Sequence, residues 1–380
     1  MSKNSITSSQ PAISWRIFLA LGLLVSIAQP GRSQIVPDTT LPQNSTVTSQ
    51  DNTHTITGGT RRGNNLFHSF ESFSIPTNFE AFFNNPADIN NIINRVTGSE
   101  LSNIDGTLSA NGLANVFLLN PNGIQFGENA RLQIGGSFIG STANALEFAD
   151  GGIYSATEPA TSPLLSINVP IGLQFGSNPG SIANQSRVLA LSNPLPLPDT
   201  IPIPDNVGLA VNPGQTLALI GGDIAINGGN LTANGGRVLL GSVASNGFVG
   251  LNANAGGLSL NYDNTPNLGN LEISNGTVIN TTGIRGGRVE LTGENISIDN
   301  GKIYALTLGN IDGENLDINA NTVRVRGGSQ LSTGTAGSGR SGAVNIRATD
   351  SVEMSGLGPA RYRQFVTQFL VAEVIEPFDP

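Results

Sequence analysis

The feature that most constrains this 380-residue chain is a repeat of about 28 residues in its C-terminal half. Gly286-Gly-Arg-Val-Glu-Leu291, Gly313-Glu-Asn-Leu-Asp-Ile318 and Ser341-Gly-Ala-Val-Asn-Ile346 align, with their first apolar residues, Val289, Leu316 and Val344, 27 and 28 positions apart. A second set of pairs, Ile296/Ile298, Val323/Val325 and Val352/Met354, keeps that period at 27 and 29, and Ile303 and Leu331 add a third at 28. Looser copies occur at Gly235–Leu240 and Ile273–Val278. Each pair is apolar-x-apolar, so an extended chain puts both apolar side chains on one face and the residue between them on the other. Gly, Asn or Asp separates the pairs, where the backbone bends at low cost. Three short strands and three bends per repeat close into a triangular coil, and stacked coils bury their apolar side chains in a common lumen. The expected fold is all-β: a parallel β-helix. A β-sandwich would need hairpin turns every 8 to 12 residues or so and gives no reason for the longer period.

Composition agrees. The chain holds 48 Gly and 43 Asn, residues that tolerate turns and weaken long helices. Only 12% of residues are charged, yet 38% are hydrophobic, enough to build a core and too many for a disordered chain. The net charge of −9, with no basic run, leaves no electrostatic footprint for nucleic acid. The absence of Cys removes disulfides, thiolate chemistry and Cys-ligated metals together.

Residues 1–33 read as a signal peptide. A polar start carrying Lys3 and Arg16 precedes the apolar run Ile17–Ile27, which is too short for a bilayer span, and small residues allow cleavage after Ala28 or, preferably, Ser33. Residues 34–155 read as an N-terminal cap with the first coils, because an uncovered coil stack would expose its core and unpaired strand edges. This stretch is rich in Phe, from Phe67 to Phe148, and Ile89–Val96 reads as a single helical turn. Residues 156–206 are expected to continue the β-helix, with the proline-dense 193–206 as a loop protruding from it. Residues 207–355 hold the passenger repeats. Residues 356–380 break the pattern: Tyr362, Phe365, Phe369 and Glu373 sit at near-helical spacing, as a cap helix or a truncated tail would.

The sharpest local motif is Val116–Gly127. A strand runs into Asn120-Pro121-Asn122-Gly123, a tight turn in which Pro presets φ and Asn-Gly supplies positive φ, and a second strand begins at Ile124. Taken with Gln34–Asp38, Leu66–Phe73, Asn94-Arg-Val-Thr-Gly98, Ser102–Gly106 and Gly135–Phe138, it resembles the secretion domain of filamentous haemagglutinin-like exoproteins of the two-partner secretion family. Val211–Leu217 extends the likeness to cyanobacterial-looking members, whereas a second Asn-Pro-Asn-Leu motif of some members is missing, Asn85-Pro-Ala87 being the nearest fragment. The resemblance implies a right-handed β-helix and an outer-membrane β-barrel transporter as partner. It also implies a role for Asn120, Pro121, Asn122, Gly123 and Ile124 in recognition by that transporter.

No catalytic, cofactor or metal site is expected. Alignment of the repeats stacks Glu290 on Asp317 at about 4.8 Å, with Asn345 next, an arrangement that could serve a Ca²⁺ site or an acid pair; lacking a third carboxylate, it reads as a solvated face. Ser297, Arg324 and Glu353 stack likewise, with Arg324 and Glu353 as an ordinary surface pair. His54 and His68, the only histidines, have no Cys or clustered acid beside them. The expected function is a secreted, non-enzymatic exoprotein with an adhesive passenger for a glycan or cell-surface ligand. The alternatives are a β-helical polysaccharide-degrading enzyme and a nonfunctional fragment of a longer adhesin.

Overall fold

The computed structural model describes Met1 and residues 35–159, 165–189, 207–254, 257–265, 267–356 and 372–374. The chain winds as a parallel β-helix with three faces. Its first face stacks Asn65–Phe73, Asn91–Val96, Asn115–Leu119, Phe138–Ser141, Thr216–Gly221 and Arg237–Ser245, then the first halves of Arg288–Asp299, Leu316–Arg326 and Val344–Met354, all parallel. The second face runs from Ser102–Ile104 through Ile124–Phe126, Ile182–Asn184, Ile224–Asn227 and Asn270–Ser274 into the second halves of those long strands. The third is built of two sheets, one from Thr53–Gly58 to Arg131–Gln133 and one from Leu209–Ala210 to Gln330–Thr335.

The register is that of the repeat. Val289 pairs with Leu316 and Leu316 with Val344; Ile296, Val323 and Val352 align, as do Ile303 and Leu331. Their side chains join a single lumen core that runs from Ile35 to Ala348. The N-terminal edge is closed by antiparallel strands: Ile35–Pro37 and Thr60–Arg62 pair with Asn65–Phe73, and Ser45–Gln50 pairs with Thr53–Gly58. Such strands cover the unpaired backbone groups that a first coil would leave exposed.

Two insertions leave the coil at the same corner, between the first and second faces. Their strands Ala145–Phe148, Ile153–Ser155 and Pro170–Phe175 from one, and Gly247–Asn254 and Gly257–Asn264 from the other, form a five-stranded antiparallel sheet in which Pro170–Phe175 pairs with Gly247–Asn254. This sheet lies on the outer side of the first face and encloses a second core there. One outward column shows how far the cover reaches: Phe67, Ile93, Phe117, Ile139, Ala218 and Leu239, in register from coil to coil, are apolar and buried. The next three members, Glu290, Asp317 and Asn345, are polar.

Several expectations are corrected. Residues 91–96 of the supposed helical turn are a strand with all six residues buried, held by parallel neighbours on both sides. Within the described residues of 156–206, Ile182–Asn184 continues the coil, whereas Pro170–Phe175 joins the outer sheet. Of the reading of 360–375 as a cap helix, Ala372–Val374 is instead a strand parallel to Val344–Met354, and the rest lies outside the described residues. Residues 2–33 of the signal segment and the proline-dense 193–206 lie outside them as well. Among the described residues no helix is long and apolar enough to cross a membrane.

Candidate functional site

The Asn120–Ile124 turn sits at the corner between the first and second faces. Asn120 is fully buried, not exposed as a turn residue usually is. Its amide Nδ2 donates to the Glu100 carbonyl and to Ser102 Oγ, both at 3.0 Å, and its Oδ1 accepts from the Asn122 backbone and side-chain amides, again at 3.0 Å. Asn122 is exposed and donates through Nδ2 to the Gly98 carbonyl at 2.8 Å. On the other side the Gly180 amide donates to the Pro121 carbonyl and the Ile124 amide to Ser181. Gly123 supplies the positive φ, at 129°, and a Cβ there would press on the Ser181 carbonyl at 3.0 Å. Ile124 is buried in the lumen. The motif is therefore a staple between coils, with Asn122 and the edge of Pro121 as its outward surface.

Two further Asn-Pro turns make ties of the same kind. Asn85 Nδ2 donates to the Asn111 carbonyl while its Oδ1 accepts from the Asn111 amide, and Asn212 Nδ2 donates to the Gly135 carbonyl. The Asn85-Pro-Ala87 fragment thus ties one coil to the next through Asn111. Along the start of the first face, Asn115 donates to Asn91 and Asn91 to Asn65, a ladder of side-chain amides that runs with the coils.

Arg95 and Thr97, of the Asn94–Gly98 segment, belong to a buried clasp that sequence reasoning did not assemble. Arg95 is 1% exposed. Its guanidinium donates to Ser69 Oγ at 2.8 Å, to the Ser155 carbonyl at 2.6 Å and to Thr40 Oγ1 at 2.8 Å, and it lies 4.3 Å from the centroid of the Tyr154 ring. Tyr154 in turn donates to the His68 carbonyl. Asp38 accepts from Ser69, Thr97 and Thr40. Burial alone would raise its pKa, but the hydrogen bonds from Ser69, Thr97 and Thr40 hold it below the usual value. Cap, first coils and outer sheet thus meet at one cation. His68, bonded to Ser45 Oγ through Nδ1 and packed against Phe70 and Phe83, is pushed by burial down to about 3 and stays neutral.

The carboxylate pair is in register as expected, and its solvated character is a correction. Glu290 is 6% and Asp317 5% exposed, and Arg288 bridges them at 3.1 and 2.8 Å. Asn345 Nδ2 donates to Asp317. An acid pair occupied by a guanidinium is not open to a substrate. Arg324 and Glu353 do form the exposed pair, at 3.5 Å. No cluster of three or more metal-ligating side chains occurs among the described residues.

The model of the TPS (two-partner) secretion domain family matches residues 33–294. Over 70 residues the chain is 43% identical to the heme/hemopexin-binding protein of Haemophilus influenzae, a stretch covering 18% of this chain and 7% of that relative. Superposition on the crystal structure of the HMW1 secretion domain from Haemophilus influenzae gives a TM-score of 0.44 at 19% identity, covering 86% of this chain and 77% of that one.

Proposed function

The chain belongs to the TPS secretion domain family, whose members are exoproteins exported through two-partner systems, and from that membership we propose that its β-helix addresses it to a dedicated outer-membrane β-barrel transporter and carries an adhesive passenger outward. The observation that supports this reading is the extent of the match: residues 33–294 take in the cap, the staple at Asn120–Ile124, the clasp and both insertions. The repeats beyond residue 294 are regular coils with polar outward residues such as Arg324 and Glu353, a surface suited to glycan or cell-surface contacts.

Within the address, the part open to a partner is Asn122 with Pro121, because Asn120, Gly123 and Ile124 are turned into the protein. The signal segment 1–33 takes the chain to the periplasm and is removed there, and the protein ends outside the cell. The test is co-expression with a two-partner transporter in an outer-membrane host. Folded protein in the medium only when the transporter is present supports the assignment; equal amounts without it overturn it.

A further inference from the structure

Beyond the Asn120–Ile124 staple, the corners that join the first face to the second each carry glycine: Pro179-Gly180-Ser181, Gly221-Gly222-Asp223, Leu268-Gly269-Asn270 and Thr292-Gly293-Glu294. Backbone passes close to backbone there. A Cβ on Gly222 would overlap the Pro179 carbonyl oxygen, and one on Gly269 would overlap Ser242 Oγ. The corners are also tied in sequence: the Gly180 amide donates to Pro121, that of Gly222 to Gly180, that of Asn270 to Asp223 Oδ1 and that of Glu294 to Gly269. With no side chain at its apex the column is recessed. The recess is a cavity of about 470 Å³ that starts one corner beyond the staple, within the size range of small-molecule sites.

Its polar groups are of two kinds. Some hold one another along the column: Asn270 Nδ2 donates to Asp223 Oδ1 at 3.3 Å, Asn295 Nδ2 to Asn270 Oδ1 at 2.9 Å and Thr322 Oγ1 to Asn295 Oδ1 at 2.6 Å. These bonds fix the wall before any ligand arrives, which lowers the ordering cost of binding. The others are uncommitted. Among the described residues the Asn178 amide, the Ser181 hydroxyl, Asp223 Oδ2 and the Glu294 carboxylate line the recess without a hydrogen-bond or ion-pair partner. Between them Pro179, Ala244 and Leu268 contribute small apolar surfaces.

Such a wall matches the chemistry of a sugar, whose hydroxyls both donate and accept and whose C–H faces are apolar. Charge narrows the class. The lining holds two carboxylates and no Lys, Arg or His, so an anionic sugar would be repelled. We propose that this corner recess binds a neutral oligosaccharide, with hydroxyls meeting Asn178, Asp223 and Glu294 and ring faces resting on Pro179 and Leu268. The proposal rests on the adhesive reading above and adds to it a defined site, inside the family-matched part of the chain and separate from the repeats beyond residue 294.

The test uses the purified protein on an array of neutral oligosaccharides of glucose, galactose, mannose and N-acetylglucosamine, set beside their sialylated and sulfated forms. Calorimetry with the strongest neutral binder then gives the affinity. Neutral members should be captured, and their acidic forms held at least about tenfold more weakly. Asn178→Ala and Glu294→Ala remove no hydrogen bond made by those side chains within the fold. Each should weaken binding about tenfold while the unfolding midpoint stays at the parent's. Ala244→Trp, which fills the recess, should abolish binding, and Glu353→Ala, on the exposed surface of the repeats, should not change it. Equal capture of the acidic forms, or binding that requires Ca²⁺, overturns the proposal. Neutral binding that survives in Glu294→Ala and Ala244→Trp overturns the site and leaves the adhesive reading standing; capture of no glycan on the array overturns both.

Discussion

Asn122 Nδ2 donates to the Gly98 carbonyl at 2.8 Å, so the exposed amide of one coil corner is bonded to the backbone of the corner before it. Asn120, two residues earlier, is itself fully buried and turns its Nδ2 inward to the Glu100 carbonyl and Ser102 Oγ. The two asparagines of one motif therefore have separable tasks, one inside the fold and one on its surface.

Substitution should separate them. Asn120→Ala leaves the Glu100 carbonyl, Ser102 and the Asn122 amides without their partner, a loss of about 2–3 kcal/mol for buried groups. Asn122→Ala should cost less than about 1 kcal/mol, since water can replace its bond to the Gly98 carbonyl and Asn120 Oδ1 keeps the Asn122 backbone amide. Denaturant unfolding measures both. In a transporter-dependent export assay, Asn122→Ala is expected to lower secretion while its midpoint stays near the parent's. Secretion at the parent level from that folded variant would remove the turn from the recognition surface.

Arg95 joins three segments through a planar fork that lysine cannot reproduce. Arg95→Lys is expected to lose at least two of these hydrogen bonds and destabilise the protein by about 2–4 kcal/mol. Proteolysis should then cut first near the strand Ile153–Ser155, whose carbonyl the guanidinium holds. A stability equal to the parent's, or first cleavage in the repeats, would contradict a clasp at this position.

The solenoid was legible because its period is carried by residues with one task each: Val289, Leu316 and Val344 face the lumen and nothing else. The outer sheet was not, although its trace is in the sequence. Val116-Phe-Leu-Leu119, Leu217-Ala-Leu-Ile220 and Val238-Leu-Leu240 are continuous apolar runs, the mark of strands buried on both sides. Read as one-sided pairs, they conceal the second core. The same oversight put Glu290 in solvent, because a two-residue alternation says which side a residue faces and not what covers that side. The clasp was out of reach for another reason: Asp38, Arg95 and Tyr154 come from distant segments, and only the fold brings them together.

His68 makes stability depend on pH. Its folded value of about 3 lies far below the ordinary 6.5, so between these values the unfolded chain binds a proton that the folded chain does not. Stability therefore falls with falling pH across that window, by about 1.4 kcal/mol per pH unit for this group. His68→Leu keeps the aromatic neighbours and removes the titration. Midpoints of chemical unfolding between about pH 7 and about pH 4 should decline less steeply in the variant than in the parent. Parallel slopes would show that His68 is not neutral in the folded protein.

The carboxylate column gives two opposite outcomes from neighbouring residues. Asp317 receives Arg288 at 2.8 Å and the Asn345 amide at 2.8 Å. Asp317→Asn takes the nearer carboxylate from Arg288 and sets two amides against each other, with an expected loss of about 1–3 kcal/mol after allowance for the partial exposure of Arg288. Glu290→Gln removes the carboxylate that burial disfavours while Arg288 keeps Asp317, so near neutral pH the variant should be at least as stable as the parent. With falling pH its advantage should shrink, because the parent's Glu290 acquires a proton and becomes neutral as well. Thermal midpoints of both variants at about pH 8 and about pH 5 check this. Two equal losses would mean that Arg288 needs both carboxylates, and that the buried charge on Glu290 stabilises the fold after all.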